Sequence, residues 1–185
     1  MTDAELRAAL VEHAYLEGDF VLRSGRRSRY YLDKYRFETR PELLEALGER
    51  ISEAVTEVEP EAARLAGPEL GAVALVAAAS LHSRLPFVIV RKQEKGYGTA
   101  KRLEGAFEPG ERVCLIEDVI TSGGAALEAV NALRDAGLEC QTAVCVVDRE
   151  EGGRAALADH AVVLTPLFTA AELKSTRESA AKPHD

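Results

Sequence analysis

The segment VCLIEDVITSGGA, residues 113–125, holds the densest chemistry in the chain. An apolar run delivers two adjacent acids, Glu117 and Asp118, and then a Thr-Ser-Gly-Gly turn, Thr121 to Gly124, that leads through Ala125 into a helical pattern. Glycines let successive backbone N–H groups close around a phosphate, hydroxyls add donors, and a following helix contributes the positive end of its dipole. The turn therefore reads as a monophosphate cradle. Acids beside it would repel a phosphate, so a group with hydrogens to donate must sit there; sugar hydroxyls, with or without a divalent cation, meet that need. A plain acidic turn capping a helix is the alternative, but two carboxylates ending a buried strand are costly without a ligand or cation. A phosphorylated sugar fits both halves.

A second stretch, RKQEKGYGTAKR at residues 91–102, sets Arg91, Lys92, Lys95, Lys101 and Arg102 against the single acid Glu94, with Gly96, Gly98 and Thr99 breaking any regular pattern. Taken alone it could be a solvated charged turn; beside the 113–125 motif it reads as an anion-binding loop. The Walker pattern is absent, and Gly96-Tyr97-Gly98 lacks the third glycine and the strand–helix setting of a dinucleotide fingerprint.

Composition bounds what can surround these motifs. A chain of 185 residues with 46% hydrophobic content is the size of one domain with a real core. Its net charge of −8 argues against nonspecific nucleic-acid binding, so any anion must be met locally. No apolar run approaches the roughly 18–20 residues that span a bilayer, and the charged start MTDAELRAALVEH lacks the apolar core of a signal peptide, so a cytoplasmic protein without membrane partners is expected. Cys114, Cys140 and Cys145 have no CxxC spacing and read as plain buried thiols.

Positioning elements follow from periodicity. Residues 3–16 predict an amphipathic helix with Leu6, Leu10 and Ala14 on one face. DFVLRSGRRSRYYLDKYRF suggests two short strands or an irregular hairpin. Thr39, Pro41 and Glu42 fit a capping box opening a helix whose stripe runs from Leu43 through Leu47, Ile51 and Val55 to Val58. A strand ending near Leu65, a Gly67–Pro68 turn, a helix over about 71–82 and the strand PFVIV come next. Further strands are expected at 112–117, 141–147 and 161–165, with helices at about 123–136 and 151–158 between them, and the polar tail from Leu173 is expected to fray. Strands apolar on both faces alternating with helices imply an α/β fold with a doubly wound, largely parallel sheet, and ligands then collect at the carboxyl ends of its strands.

Residues 113–125 resemble the phosphoribosyl pyrophosphate motif of the type I phosphoribosyltransferases. FVLRSGRRSRYY, RKQEKGYGTAKRLEG and DREEGG, which together span residues 20–153 in the family's order, narrow the resemblance to the orotate phosphoribosyltransferases. The resemblance implies one domain over 1–185, with a hood of about 1–40 plus part of 150–185 and a core of about 41–150. It implies transfer of a 5-phosphoribosyl group from its pyrophosphate (PRPP) to N1 of orotate, a step of pyrimidine synthesis. By the same resemblance Thr121, Ser122, Gly123, Gly124 and Ala125 bind the 5-phosphate, while Glu117 and Asp118 hold the ribose hydroxyls. Arg91, Lys92 and Lys95 belong to a loop that closes on the pyrophosphate, partly from the neighbouring subunit of a homodimer. Arg149 meets the orotate carboxylate, Arg23, Tyr31 and Thr121 border the base, and Lys95, Asp118 and Glu117 are the catalytic set. A Mg2+ cofactor is implied, held mainly by the donor and through water by Glu117 and Asp118.

Three positions depart from the commonest family pattern. Arg23 replaces a lysine, Tyr97 a loop histidine, and Gly71 a lysine found in some members; the family's strained peptide falls near Glu69–Leu70. A purine-base transferase would share residues 113–125 but should lack the basic loop and the Asp148–Arg149 pair. A sensor of the sugar pyrophosphate would be expected to carry a basic nucleic-acid surface, for which only Arg23, Arg26, Arg27 and Arg29 speak.

Overall fold

The computed structural model describes residues 1–21, 27–92 and 102–180. Helix α1 (Asp3–Ala14) opens on a capping box at Thr2, which donates its N–H to Glu5 at 2.8 Å while its hydroxyl accepts the Glu5 N–H at 3.3 Å. Leu6, Leu10 and Ala14 are fully buried, as the periodicity predicts. The helix stops at Ala14 rather than 16 because Tyr15 and Leu16 already pair in strand β1 (Tyr15–Val21), which runs antiparallel to β2 (Arg27–Leu32) in a two-stranded sheet of its own.

Beyond Leu32 the chain leaves the strand reading. Tyr35–Glu38 forms a one-turn helix, α2, too short to show a 3.6-residue period in the sequence. Its anchor is Phe37, which is fully buried in the core. The capping box expected at Thr39 is not formed: Thr39 closes α2 instead, its hydroxyl donating to the Tyr35 carbonyl at 2.5 Å. Helix α3 (Pro41–Val58) therefore begins at Arg40 without a side-chain cap, with Pro41 in its first turn as expected.

The remaining elements alternate: β3 (Arg64–Pro68), α4 (Val73–Ser83), β4 (Phe87–Val90), β5 (Leu103–Glu104), β6 (Arg112–Ile120), α5 (Gly124–Asp135), β7 (Glu139–Asp148), α6 (Gly153–Ala158), β8 (Val163–Thr169) and α7 (Ala170–Ala180). They build a six-stranded sheet in the order β5-β4-β3-β6-β7-β8, parallel throughout except for the β4–β5 pair. Side chains of β6 alternate between two apolar layers: Cys114 and Ile116 pack with α1, α3 and α4, whereas Val113 and Leu115 pack with α5 and α6. This two-sided burial is why the central strands read as continuous apolar runs.

Strand β8 runs past the expected 165 through Pro166, which costs no ladder bond on one side because β8 is an edge strand. The polar tail expected to fray is instead helical to Ala180; Leu173, 2% exposed, pins α7 to the core, and Arg7–Glu172 at 3.7 Å and Arg177–Glu17 at 3.4 Å flank it. The three cysteines are buried free thiols, and burial pushes Cys114 and Cys140 up to about 12 and Cys145 further.

Because α2 is held to the core mainly by one aromatic ring, Phe37→Ala is expected to cost about 3–5 kcal/mol, read as a lowered urea midpoint.

Candidate active site

After β3 the chain moves to β4 on one side and returns to β6 on the other, so the sheet changes direction between β3 and β6. Loops leaving two such strands diverge and leave a crevice at their carboxyl ends. A cleft of about 720 Å³ opens there, lined by the turn after β3, the end of β4, the end of β6 and the first turn of α5.

Strand β6 reaches Ile120, further than expected, so Glu117 and Asp118 lie within the pleat and are 7% and 4% exposed. Burial first, and the charge of Asp118 next, raise the pKa of Glu117 well above the ordinary carboxylate range. Past Ile120 the chain turns through Thr121 and Ser122 to Gly123, whose φ of +83° is left-handed backbone that a side chain would strain. Gly123 opens α5 without a side-chain cap, so the first-turn N–H groups remain available to an anion. Thr121, Ser122, Gly124 and Ala125 are exposed at the cleft wall.

Arg91 and Lys92, just past the end of β4, line the same cleft. Arg91 lies 3.4 Å from Glu104 and 3.9 Å from Glu69, and the Lys92 N–H donates to Glu69 at 3.0 Å. The Arg91 N–H donates to the Arg102 carbonyl at 2.8 Å, which ties the two ends of the basic loop together. Lys95 and Arg23, two of the expected site residues, and Tyr97 lie outside the described residues. The Glu69–Leu70 peptide is cis, where the family resemblance set its strained peptide.

The base-binding set is spread differently. Arg149, 8% exposed, leaves the end of β7 with its guanidinium 4.8 Å from the centre of the Tyr30 ring and its Nε 3.1 Å from Glu151. Tyr30 in turn stacks on Tyr15 at 5.0 Å. Tyr31, expected to border the base, points to the other face of β2, lies 5.5 Å from Phe20 and is 42% exposed. The ring braced against Arg149 is thus Tyr30, which sequence reasoning passed over for its neighbour.

Sequence reasoning also missed Lys34 and Glu38. Lys34 donates to Asp118 and forms an ion pair with it. Burial would pull the Lys34 pKa down, but the charge and hydrogen bond of Asp118, with Glu38, outweigh it and hold it above the ordinary lysine value. Glu38, one turn further along, is 4% exposed, and its Oε1 has no hydrogen-bond partner among the described residues. Burial first, and Asp118 next, push Glu38 up to about 8. A lysine after a strand carries no spacing signal, because its partner lies 84 residues away in sequence.

Comparison with known proteins places the chain among its relatives. Residues 37–172 match the phosphoribosyl transferase domain. The orotate phosphoribosyltransferase of Methanocella arvoryzae is 49% identical over 84% of this chain and 87% of its own. The crystal structure of orotate phosphoribosyltransferase from Aeropyrum pernix is similar with a TM-score of 0.83 at 30% identity, covering 97% of this chain and 99% of that one. That of the Mycobacterium tuberculosis orotate phosphoribosyltransferase in complex with 5-phospho-alpha-D-ribosyl 1-diphosphate has a TM-score of 0.78 at 27% identity, covering 93% and 98%.

The Glu38 carboxyl ionises at about 8 when folded and near 4.3 when unfolded, so the native state holds the extra proton between these values and stability falls as pH rises through that window. Glu38→Gln removes this loss. Urea unfolding at pH 5 and pH 8.5 is expected to show the variant gaining roughly 2–4 kcal/mol on the wild type between the two conditions.

Proposed function

The chain belongs to the orotate phosphoribosyltransferase family, and on that premise we propose that it transfers the 5-phosphoribosyl group of PRPP to N1 of orotate, giving orotidine 5-phosphate and pyrophosphate. The observation that carries this reading is the junction of β6 and α5: two buried carboxylates followed by an uncapped helix start, in one cleft with Arg91 and Lys92. A sugar phosphate satisfies all of it, with phosphate on Thr121–Ala125, hydroxyls on Glu117 and Asp118, and the second anion toward Arg91 and Lys92.

Breaking the C1–O bond builds positive charge on the ribose and negative charge on the departing pyrophosphate. Carboxylates near the ring and fixed cations at the leaving group oppose both, and they are strongest where water is excluded. Lys95 joins Arg91 and Lys92 at the pyrophosphate, and the 91–102 loop is shared between the subunits of a homodimer. Arg149 suits the orotate carboxylate because a planar guanidinium braced on the Tyr30 ring presents paired donors; Arg23 and Thr121 border the base.

The reaction is magnesium-dependent in this reading. Among the described residues no three acids, histidines or cysteines cluster as a closed metal site, while Glu117 and Asp118 offer hard oxygen donors at the cleft. They would hold the ion through water, with the donor supplying the remaining oxygens. When bound, magnesium supplies Lewis-acid charge to the leaving group. Substrates this highly charged do not cross a bilayer unaided, which supports a cytoplasmic site of action.

Orotate absorbance is expected to fall only when protein, PRPP and magnesium are all present. Asp118→Asn is expected to lower kcat/KM by about 100-fold or more, and Arg149→Met to raise the KM for orotate about 10- to 100-fold. Orotate left untouched while PRPP still binds would sink the assignment of the acceptor.

A further inference from the structure

The turn that follows β3, Glu69 to Ala72, lines the cleft, yet it carries no cation; its single charge is Glu69. A pyrophosphate extended from the ribose site toward that turn would meet an acid and bare backbone. Lys34 reaches into this gap from a different part of the chain. It follows β2, is held by the one-turn helix α2 and the buried Phe37 ring, and lines the cleft beside Gly71 and Asp118. Its side chain is 30% exposed against 6% for Asp118, so the ammonium sits at the mouth of the acid pair rather than beneath it.

Two contacts define the arrangement. Lys34 Nζ donates to Asp118 Oδ2. A Cβ built at residue 71 would run into both of these atoms, so the pair can occupy this place only because residue 71 is glycine. The backbone of the turn and the lysine are thus fitted to each other. Asp118 Oδ1 accepts the Val119 N–H, so the oxygen that Lys34 occupies is the one left to receive a ribose hydroxyl.

We propose that Lys34 is a further substrate-binding cation, one that exchanges partners: it pairs with Asp118 while the cleft is empty, and moves to an oxygen of the pyrophosphate when the donor binds. This rests on the reading of the cleft as a PRPP site. The exchange exposes Asp118 Oδ2 to the ribose and brings positive charge to the leaving group in the same movement. An ammonium on a four-carbon stem with three donors can make that swing without a backbone change. Before the donor arrives, the pair also spares an acid in the pleat from standing uncompensated.

Calorimetric titration of Lys34→Met and Lys34→Arg with inorganic pyrophosphate and, separately, with ribose 5-phosphate, in magnesium buffer, tests this, alongside orotate turnover by the wild type. Lys34→Met is expected to weaken pyrophosphate about 10- to 100-fold, to leave ribose 5-phosphate within about twofold or bind it more tightly, and to leave the KM for orotate unchanged. Lys34→Arg, which keeps the charge, is expected to retain most of the pyrophosphate affinity. If Lys34 only orients Asp118, ribose 5-phosphate weakens as much as pyrophosphate and the proposal falls. Unchanged pyrophosphate binding by Lys34→Met, with orotate turned over normally by the wild type, overturns the exchange and leaves the family reading intact. A wild type that binds neither probe and turns over no orotate removes both.

Discussion

Two carboxylates on consecutive residues of a buried strand repel each other and resist leaving water, so both stay ionised only where positive charge is brought to them. Strand β6 sets this problem at Glu117 and Asp118, and much of the surrounding structure answers it. Lys34 compensates one acid, Glu117 and Glu38 are driven toward their protonated forms, and the open crevice leaves room for hydroxyls.

The sheet makes the arrangement possible. Its reversal between β3 and β6 sets the β3–α4 turn and the β6–α5 turn side by side, one contributing backbone and Glu69, the other the uncapped start of α5. Parallel strands buried on both faces keep these turns on a stiff support, whereas β1 and β2 form a small sheet of their own that, with α2, packs on the same core through Leu32 and Phe37 and reaches the cleft through Lys34 and Tyr35. The division lets a cleft at the end of a stiff sheet be completed by side chains from a different part of the chain.

Most of the core was legible in the sequence because it repeats one simple pattern: apolar strands, helical stripes such as Leu43–Leu47–Ile51–Val55, and a glycine where α5 starts. What escaped is what depends on distance or on a single turn. Helix α2 is too short to have a period, so its residues passed for a strand end and Thr39 for the start of the next helix. Leu173 is one apolar residue in a polar segment, and its burial follows only from where β8 delivers α7. Tyr30 and Tyr31 differ by one position in an alternating strand, and only the pairing with β1 decides which ring turns to Arg149.

The short antiparallel pair between β4 and β5 joins Val90 to Leu103 and Ile89 to Glu104, and Arg91 to Arg102 above them. The sheet is thus complete at the base of the basic loop, whatever residues the loop contains. The cost of closing a connection between fixed ends grows slowly with its length, by about 0.6 kcal/mol for each doubling. The loop can therefore gain, lose or exchange residues at little expense to folding, and selection on the reaction can act on its length and sequence as on an independent module.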